Sequence, residues 1–574
     1  MPPTRPLTAN RDSASPSNPS PRRSAAATAP QQRRGSPQLQ DEQTVRRAQQ
    51  LRSELGIRVS AGSAAETGEA LRRCPIPLVD FAQEQVGARL PEQLLANLEA
   101  NKLERPTPVQ MQTIPCVLQG RHVRGLLARG EVRRHLSWGC DHVARLPVSQ
   151  VLVSAPTGTG KTAAYLIPAI AQVLLARGAE RREEEVLALV LAPIRELAIQ
   201  IESVAKMLMR GIANMKTALL VGGFPVPTQR YRLRNGVQLI VATPGRFLDI
   251  FTNYSSGDGI LAAIRTCIVD EVDMMLDVGF RPQISQILAL LTNLNGNGVQ
   301  LLFFSATLSD DVEGMVQQIL KNQTEQAYIR VNVGGNNIKG TGTAHVSLNP
   351  IAQQQVRWVE DKAKKNELFT FLKGKVEEST VCNYLGLLRG SKVGASMLAE
   401  AIVKCCGIGA AAIHADKTQQ ERLTLLEAFV NMENPVLVST NILSRGIDLL
   451  HVQNVVVYDF PKNLSDYVHL IGRTGRGDST GNALTLINLE DQEYFGELVP
   501  LLRSASVSLP REIYQTLHAN GARLRSHTSN IAIDEAKRAF RVRNQLIEGI
   551  GAQVSDWKNW NEQLRKRRRV GPKN

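Results

Sequence analysis

The segment Ala155-Pro-Thr-Gly-Thr-Gly-Lys161-Thr162 places two glycines, a lysine and a terminal hydroxyl within eight residues, a composition suited to holding phosphate. Glycines let successive backbone N–H groups curl around an anion, lysine reaches the outer phosphates, and the threonine hydroxyl ligates a divalent cation. An apolar run at 151–154 precedes the segment, and a helical stretch starting Ala163-Ala164-Tyr165 follows it. That strand–loop–helix order aims the positive end of a helix at the bound anion. Lys161 is therefore expected on the β- and γ-phosphates and Thr162 on Mg²⁺, with Thr157, Gly158, Thr159 and Gly160 forming the cradle. A bland glycine-rich turn rarely sets Gly-Lys-Thr at a strand-to-helix junction.

A second group, Asp270-Glu271-Val272-Asp273, follows the apolar run Cys267-Ile268-Val269. Ligands of open α/β sheets bind beyond the carboxyl ends of the strands, where these carboxylates fall. Asp270 suits a Mg²⁺ ligand and Glu271 the group that polarises an attacking water, in chemistry that is mostly positioning and charge stabilisation. Acidic residues also start helices, so the tetrad alone is ambiguous. The phosphate loop upstream removes most of that ambiguity.

Both groups need a sheet to position them. Apolar runs at 151–154, 187–191, 218–221, 239–242, 267–269 and 301–304 alternate with helical stretches. The pattern indicates a mostly parallel sheet covered on both faces. A glycine-rich stretch at 333–342 reads as a linker. A second alternating series follows, with runs at 410–413, 436–439, 455–458 and 483–487. The fold class is thus α/β with two tandem parallel-sheet domains, expected at 76–335 and 346–506 about a linker at 336–345. Residues 1–75 are expected to be disordered, because the first fifty are rich in Pro, Ser, Ala, Arg and Gln and cannot bury enough apolar surface. Residues 507–574 are expected to form a basic helical extension.

Composition sets the outer limits. No stretch is apolar enough to span a membrane, and no secretory signal is read at the N-terminus. Seven scattered cysteines without a Cys-x-x-Cys pair suggest neither zinc nor a disulfide framework. Sixty-eight Lys and Arg against 53 Asp and Glu give +15, which favours a polyanionic partner.

Further motifs point to a specific family. Pro106-Thr-Pro-Val-Gln110, Pro193-Ile-Arg195-Glu-Leu, Gly222-Gly223, Thr243-Pro-Gly-Arg246, Ser305-Ala-Thr307, Gln419-x-x-Arg422, Ser444-Arg-Gly-Ile-Asp448 and His469-x-x-Gly-Arg473-x-Gly-Arg476 follow one another in order. With the phosphate loop and the acidic tetrad, the span 81–487 resembles DEAD-box ATP-dependent RNA helicases. The resemblance implies two RecA-like domains that bind ATP between them and RNA across them. It implies that Gln110 reads the adenine edge with Phe81 stacked on the base, that Asp448 lies near the ribose, and that Arg473 and Arg476 act as arginine fingers. Ser305, Thr307 and His469 would couple hydrolysis to RNA release. Pro193, Arg195, Gly223, Thr243, Arg246, Arg422 and Thr440 would contact RNA backbone independently of sequence. A clamp that holds RNA without unwinding it is the alternative reading, and ribonucleoprotein partners are compatible with both. A monomer is the default. The wording around His414-Ala-Asp-Lys417 resembles a subgroup that often carries a HIT-type zinc finger, which this chain lacks. Arg565-Lys-Arg-Arg-Arg569 resembles a nuclear import signal, with a cytoplasmic location as the alternative.

Two departures stand out. At 380–390 the family's apolar strand is replaced by a stretch containing Gly386, which weakens a strand. In addition, Gly120-Arg-His122 is separated from Val151 by Val123 to Gln150, although joining the flanks yields an uninterrupted family sequence. Valine codons begin GT and one glutamine codon ends AG, so the segment reads as a translated intron, with a surface insertion as the alternative. Sequencing the transcript is expected to find messages in which the codon for His122 runs directly into that for Val151. A message that uniformly retains the segment overturns the intron reading.

Overall fold

The computed structural model describes residues 42–61, 74–82, 90–128, 150–177, 188–253, 258–295, 299–323, 328–334, 352–377, 383–387, 392–440, 452–475 and 481–524. The first sheet contains β1 (Ile57–Ala61), β2 (Val151–Ser154), β3 (Ala188–Leu191), β4 (Thr217–Leu220), β5 (Leu239–Ala242), β6 (Thr266–Val269), β7 (Gln300–Ser305) and β8 (Ile329–Val333). Their order is β1-β8-β2-β7-β6-β3-β5-β4, parallel throughout except that β1 runs antiparallel to β8. The second sheet contains β9 (Ala352–Trp358), β10 (Asn383–Leu387), β11 (Ala410–Ile413), β12 (Val436–Ser439), β13 (Val452–Val457) and β14 (Gly481–Ile487), in the parallel order β11-β12-β10-β13-β14-β9.

The apolar runs become strands because alternate side chains go to opposite faces, and both faces are covered. Val151 and Val153 enter one core and Leu152 the other; Val190 and Leu191 divide the same way. In the second sheet, Leu437 faces one core while Val436 and Val438 face the other. The order β2-β7-β6-β3 then brings the phosphate loop, the segment after β7 and the acidic tetrad to one end of the sheet.

Both tails of the domain expectation need correction. Residues 42–61 are not part of a disordered region: the helix Glu42–Glu54 and β1 complete the first domain. The helix buries Ala48 and Arg52, and the Arg52 guanidinium donates to Gln112 Oε1 and to the carbonyls of Cys74 and Pro75. A buried, hydrogen-bonded arginine leaves no apolar signal in composition. At the other end, the helix Arg511–Leu524 buries Ile513 and packs Leu517 on the second core, so that domain extends past 506. The linker 336–345, residues 1–41 and Arg565–Arg569 lie outside the described residues.

Of the 28-residue segment 123–150, residues 123–128 and 150 are among those described. The helix Pro108–Ala128 carries the chain into it, residues 129–149 lie outside the described residues, and Gln150 rejoins the sheet. Its carbonyl accepts from Ile329 N, and its side chain bonds Val299 O and Leu301 N.

The stretch at 380–390 does supply the central strand, β10, between β12 and β13. Gly386 leaves unfilled space there, lined by Leu368, Leu398, Val436, Val438, Val456 and Tyr458. A Cβ at this position meets nothing nearer than Leu437 O at 4.0 Å. Gly386→Ala is therefore expected to stabilise the protein by about 1 kcal/mol, through a less mobile unfolded chain and one buried methyl group. Urea unfolding should show a higher midpoint at unchanged slope; a lower midpoint would show that the gap cannot take a methyl group.

Candidate nucleotide and RNA site

The phosphate loop lies between β2 and the helix Lys161–Arg177. Gly158 and Gly160 adopt φ of 81° and 88°, a region open to glycine and strained for other residues. Thr159 Oγ1 donates to Pro156 O at 2.7 Å, tightening the turn. Gln110 and Thr107 hold the loop from outside: Gln110 Nε2 donates to Gly160 O and Thr107 Oγ1 to Thr159 O. Gln110 thus sits against the cradle, and Phe81 is buried in the first core close by in sequence to Leu78, whose N–H donates to Met111 O. Lys161 Nζ donates to Ala155 O at 3.0 Å and lies 3.7 Å from Glu271 Oε1.

Asp270, Glu271 and Asp273 are all buried. Asp270 accepts from the Tyr165 hydroxyl at 2.9 Å and from the Glu271 N–H. Glu271 has φ of 49°, a left-handed conformation costly for a non-glycine residue. Its Oε2 has no hydrogen-bond partner among the described residues. Burial, together with the Glu271 charge, pushes the Asp270 carboxyl up to about 7, against the pull of Lys161 and Tyr165. Burial and Asp270 raise the Tyr165 hydroxyl well above its ordinary value. A carboxylate held this far from its solution value, beside an oxygen without a partner, is a donor set suited to a divalent cation.

Asp273 connects the domains. Its Oδ2 accepts from Thr307 Oγ1 at 2.7 Å and pairs with His469 Nε2 at 3.1 Å. Thr307 Oγ1 also lies 3.5 Å from Ser465 Oγ of the second domain. Ser305 Oγ turns inward to Thr307 O instead of crossing the cleft. Thr157 Oγ1 donates to Gly472 O, and a Cβ at Gly472 would fall 2.0 Å from that hydroxyl, so a larger residue there would have to displace it. Arg473 is buried, with Nε donating to His469 O. Asp448 and Arg476 lie outside the described residues.

The expected RNA residues gather at the same end of the two sheets. The Arg195 guanidinium packs on the glycine pair: a Cβ would fall 2.8 Å from it at Gly222 and 2.9 Å at Gly223. Pro193 and Thr243 are buried, just past the ends of β3 and β5. Arg246 Nη1 donates to Phe224 O, joining its helix to the glycine loop. From the second domain, Arg422 Nη1 and Gln419 Nε2 both reach Glu196 Oε1, at 3.1 and 3.2 Å. Arg422 is thus committed in this arrangement to bridging the domains. Thr440 follows β12, with its N–H on Ile413 O.

The DEAD/DEAH box helicase family matches residues 107–315, and the helicase conserved C-terminal domain matches 381–478. The chain is 36% identical over 469 residues to the DEAD-box ATP-dependent RNA helicase 41 of Arabidopsis thaliana, covering 81% of this chain and 80% of that one. This chain belongs to the DEAD-box family of ATP-dependent RNA helicases. The probable ATP-dependent RNA helicase DDX59 of Mus musculus is also 36% identical, over 81% of this helicase and 63% of its own length. Among solved structures, the DEAD-box helicase Mss116 bound to ssRNA and UDP-BeF shares the fold at a TM-score of 0.62 and 23% identity, covering 77% of this chain and 84% of that one.

Residue types alone missed three participants. Asp273 is in the quoted tetrad, but its partners lie 34 and 196 positions away. Glu196 is in the quoted Pro-Ile-Arg-Glu-Leu segment, and Tyr165 follows the phosphate loop; nothing in their spacing reveals that one bridges domains and the other braces Asp270.

The raised Asp270 carboxyl has a defined consequence for stability. As pH rises, the unfolded chain ionises near 3.8 while the folded group stays protonated up to about 7. Its cost therefore grows across that window and levels off above it. Without nucleotide and with divalent cations chelated, Asp270→Asn should gain on the parent by on the order of 2 kcal/mol between about pH 5 and pH 8. Urea midpoints at several pH values test this, and parallel profiles for the two proteins would refute it.

Proposed function

We infer that the helicase hydrolyses ATP in the cleft between its two domains and uses the cycle to grip and release RNA backbone, separating short duplexes or remodelling ribonucleoproteins. The observation that carries this reading is the Asp273 carboxylate. It accepts from Thr307 of the first domain and pairs with His469 of the second, one residue away from the Glu271–Val272 part of the acidic tetrad. Hydrolysis at Glu271 and contact between the domains thus sit two residues apart on one short segment.

Lys161, which lies beside Glu271, neutralises the outer phosphates, and the loop N–H groups orient them. Glu271 positions the attacking water. Thr162 and Asp270 would hold Mg²⁺, which supplies charge neutralisation on the phosphates when bound. Arg473, carried by the segment after His469, and Arg476 are proposed as arginine fingers. On the RNA side, the glycine pair and Arg195 leave backbone and guanidinium facing a polyanion without base-reading groups, which supports sequence-independent, salt-dependent binding. We further propose that the protein acts as a monomer and, on the strength of Arg565-Lys-Arg-Arg-Arg569, in the nucleus.

ATP turnover by the purified chain should rise on adding RNA, and Glu271→Gln should lower it by about a hundredfold or more while leaving nucleotide binding intact. Phosphate release with and without RNA reads the first, and nucleotide fluorescence the second. Turnover indifferent to both RNA and Glu271 would sink the assignment.

A further inference from the structure

The expected RNA contacts of the first domain end at Arg246 and the Gly222–Gly223 loop, yet the basic surface continues beyond them. From Ser203 to Leu248 the chain has seven Lys and Arg residues and no Asp or Glu. Three of the seven, Arg230, Arg232 and Arg234, stand on the nine-residue helix Val226–Arg234 that leaves the glycine loop. Between them is Tyr231, 66% exposed. A helix face needed only for solubility gains nothing from an aromatic ring left mostly in water, whereas cations interleaved with an aromatic ring form a stacking platform for single-stranded nucleic acid.

The helix is rigidly mounted on the glycine loop. Gln229 is buried, and its Nε2 donates to Val221 O and Phe224 O on either side of the loop; Leu233 is buried one turn later. Arg246 Nη1 donates to the same Phe224 carbonyl. Arg246, the loop and the helix therefore move as one piece, and the helix carries the basic surface about 13 Å further. The buried Glu202 carboxylate meets Arg232 at 3.7 Å, Lys206 at 2.9 Å and the Thr217 hydroxyl. One buried carboxylate between two cations leaves the surface positive, and it leaves Arg234 and Tyr231 facing solvent.

We propose that the Val226–Arg234 helix extends the RNA track of the first domain. Nucleotides leaving the glycine loop run along it as single strand, with phosphates against Arg230 and Arg234 and one base stacked on Tyr231. This rests on the RNA-binding reading above and adds a second segment to the site, one that long RNA engages and short RNA does not reach.

The test compares the parent chain, the double variant Tyr231→Ala/Arg234→Ala, and Tyr231→Phe, each bound to a non-hydrolysable ATP analogue. Uridine-only RNAs of about 6 and about 15 nucleotides are titrated by fluorescence anisotropy at several salt concentrations. Short RNA should bind all three proteins alike and stimulate their ATP turnover alike. For long RNA the double variant should lose about tenfold in affinity. The slope of its log K against log salt should fall by about 0.7, the loss of one phosphate contact on a single strand. Tyr231→Phe should keep the parent affinity, because the ring and not the hydroxyl makes the stack. Unchanged long-RNA binding in the double variant overturns the proposal. So does an equal loss on short RNA, which would mark a disturbed glycine loop, or a loss seen only with blunt duplex. A parent protein that short RNA neither binds nor stimulates overturns the RNA reading itself, and the extension with it.

Discussion

Three carboxylates, Asp270, Glu271 and Asp273, are buried within four positions at the end of one strand. Taking even one such charge out of water is costly unless partners meet it. Here the partners come from separate parts of the chain: Lys161 from the phosphate loop, Tyr165 from the helix behind it, Thr307 from the segment after β7, and His469 from the other domain. The parallel sheet exists, in effect, to bring those strand ends together. Two compensations stay incomplete within the protein. The Asp270 carboxyl is raised far above its ordinary range, and one Glu271 oxygen has no partner among the described residues. A divalent cation held by Asp270 would offset the first of these.

The left-handed backbone at Glu271 belongs to the same economy of space. In an ordinary helical start the tetrad would fan its acids around the axis. With Glu271 at φ 49°, one carboxylate faces Lys161 while Asp273, two residues on, faces the second domain. Strain of about 1–3 kcal/mol at such a position is a usual accompaniment of a functional site. The surrounding strand and helix hold it in place.

Much of this was legible in the sequence, for identifiable reasons. Strands of a parallel sheet are buried on both faces, so they read as unbroken apolar runs, and the phosphate loop has a residue pattern that only its chemistry explains. Side-chain partners across the cleft were not legible, because 196 residues separate His469 from Asp273 and local spacing carries no information at that distance. The helix Glu42–Glu54 is hidden in the sequence because the larger of its two buried anchors is a charged residue, Arg52, which donates to two carbonyls and a glutamine. β1 escaped because it offers only Ile57 and Val59 to the core. The central strand at Asn383–Leu387 was doubtful for the opposite reason: its neighbours β12 and β13 enforce a pairing that Gly386 would not choose alone.

β1 also settles where the first domain stops. It pairs along the whole of β8, from Ile57 against Val333 to Ala61 against Ile329, and Gly334 N donates to Gly56 O just beyond the last pair. β8 is the last strand before the chain passes to the second domain. The N-terminal strand is thus a splint on the final rung of the first domain. A protein trimmed at residue 75 would keep every catalytic side chain but would leave β8 as a bare sheet edge, open to pairing with a neighbouring molecule.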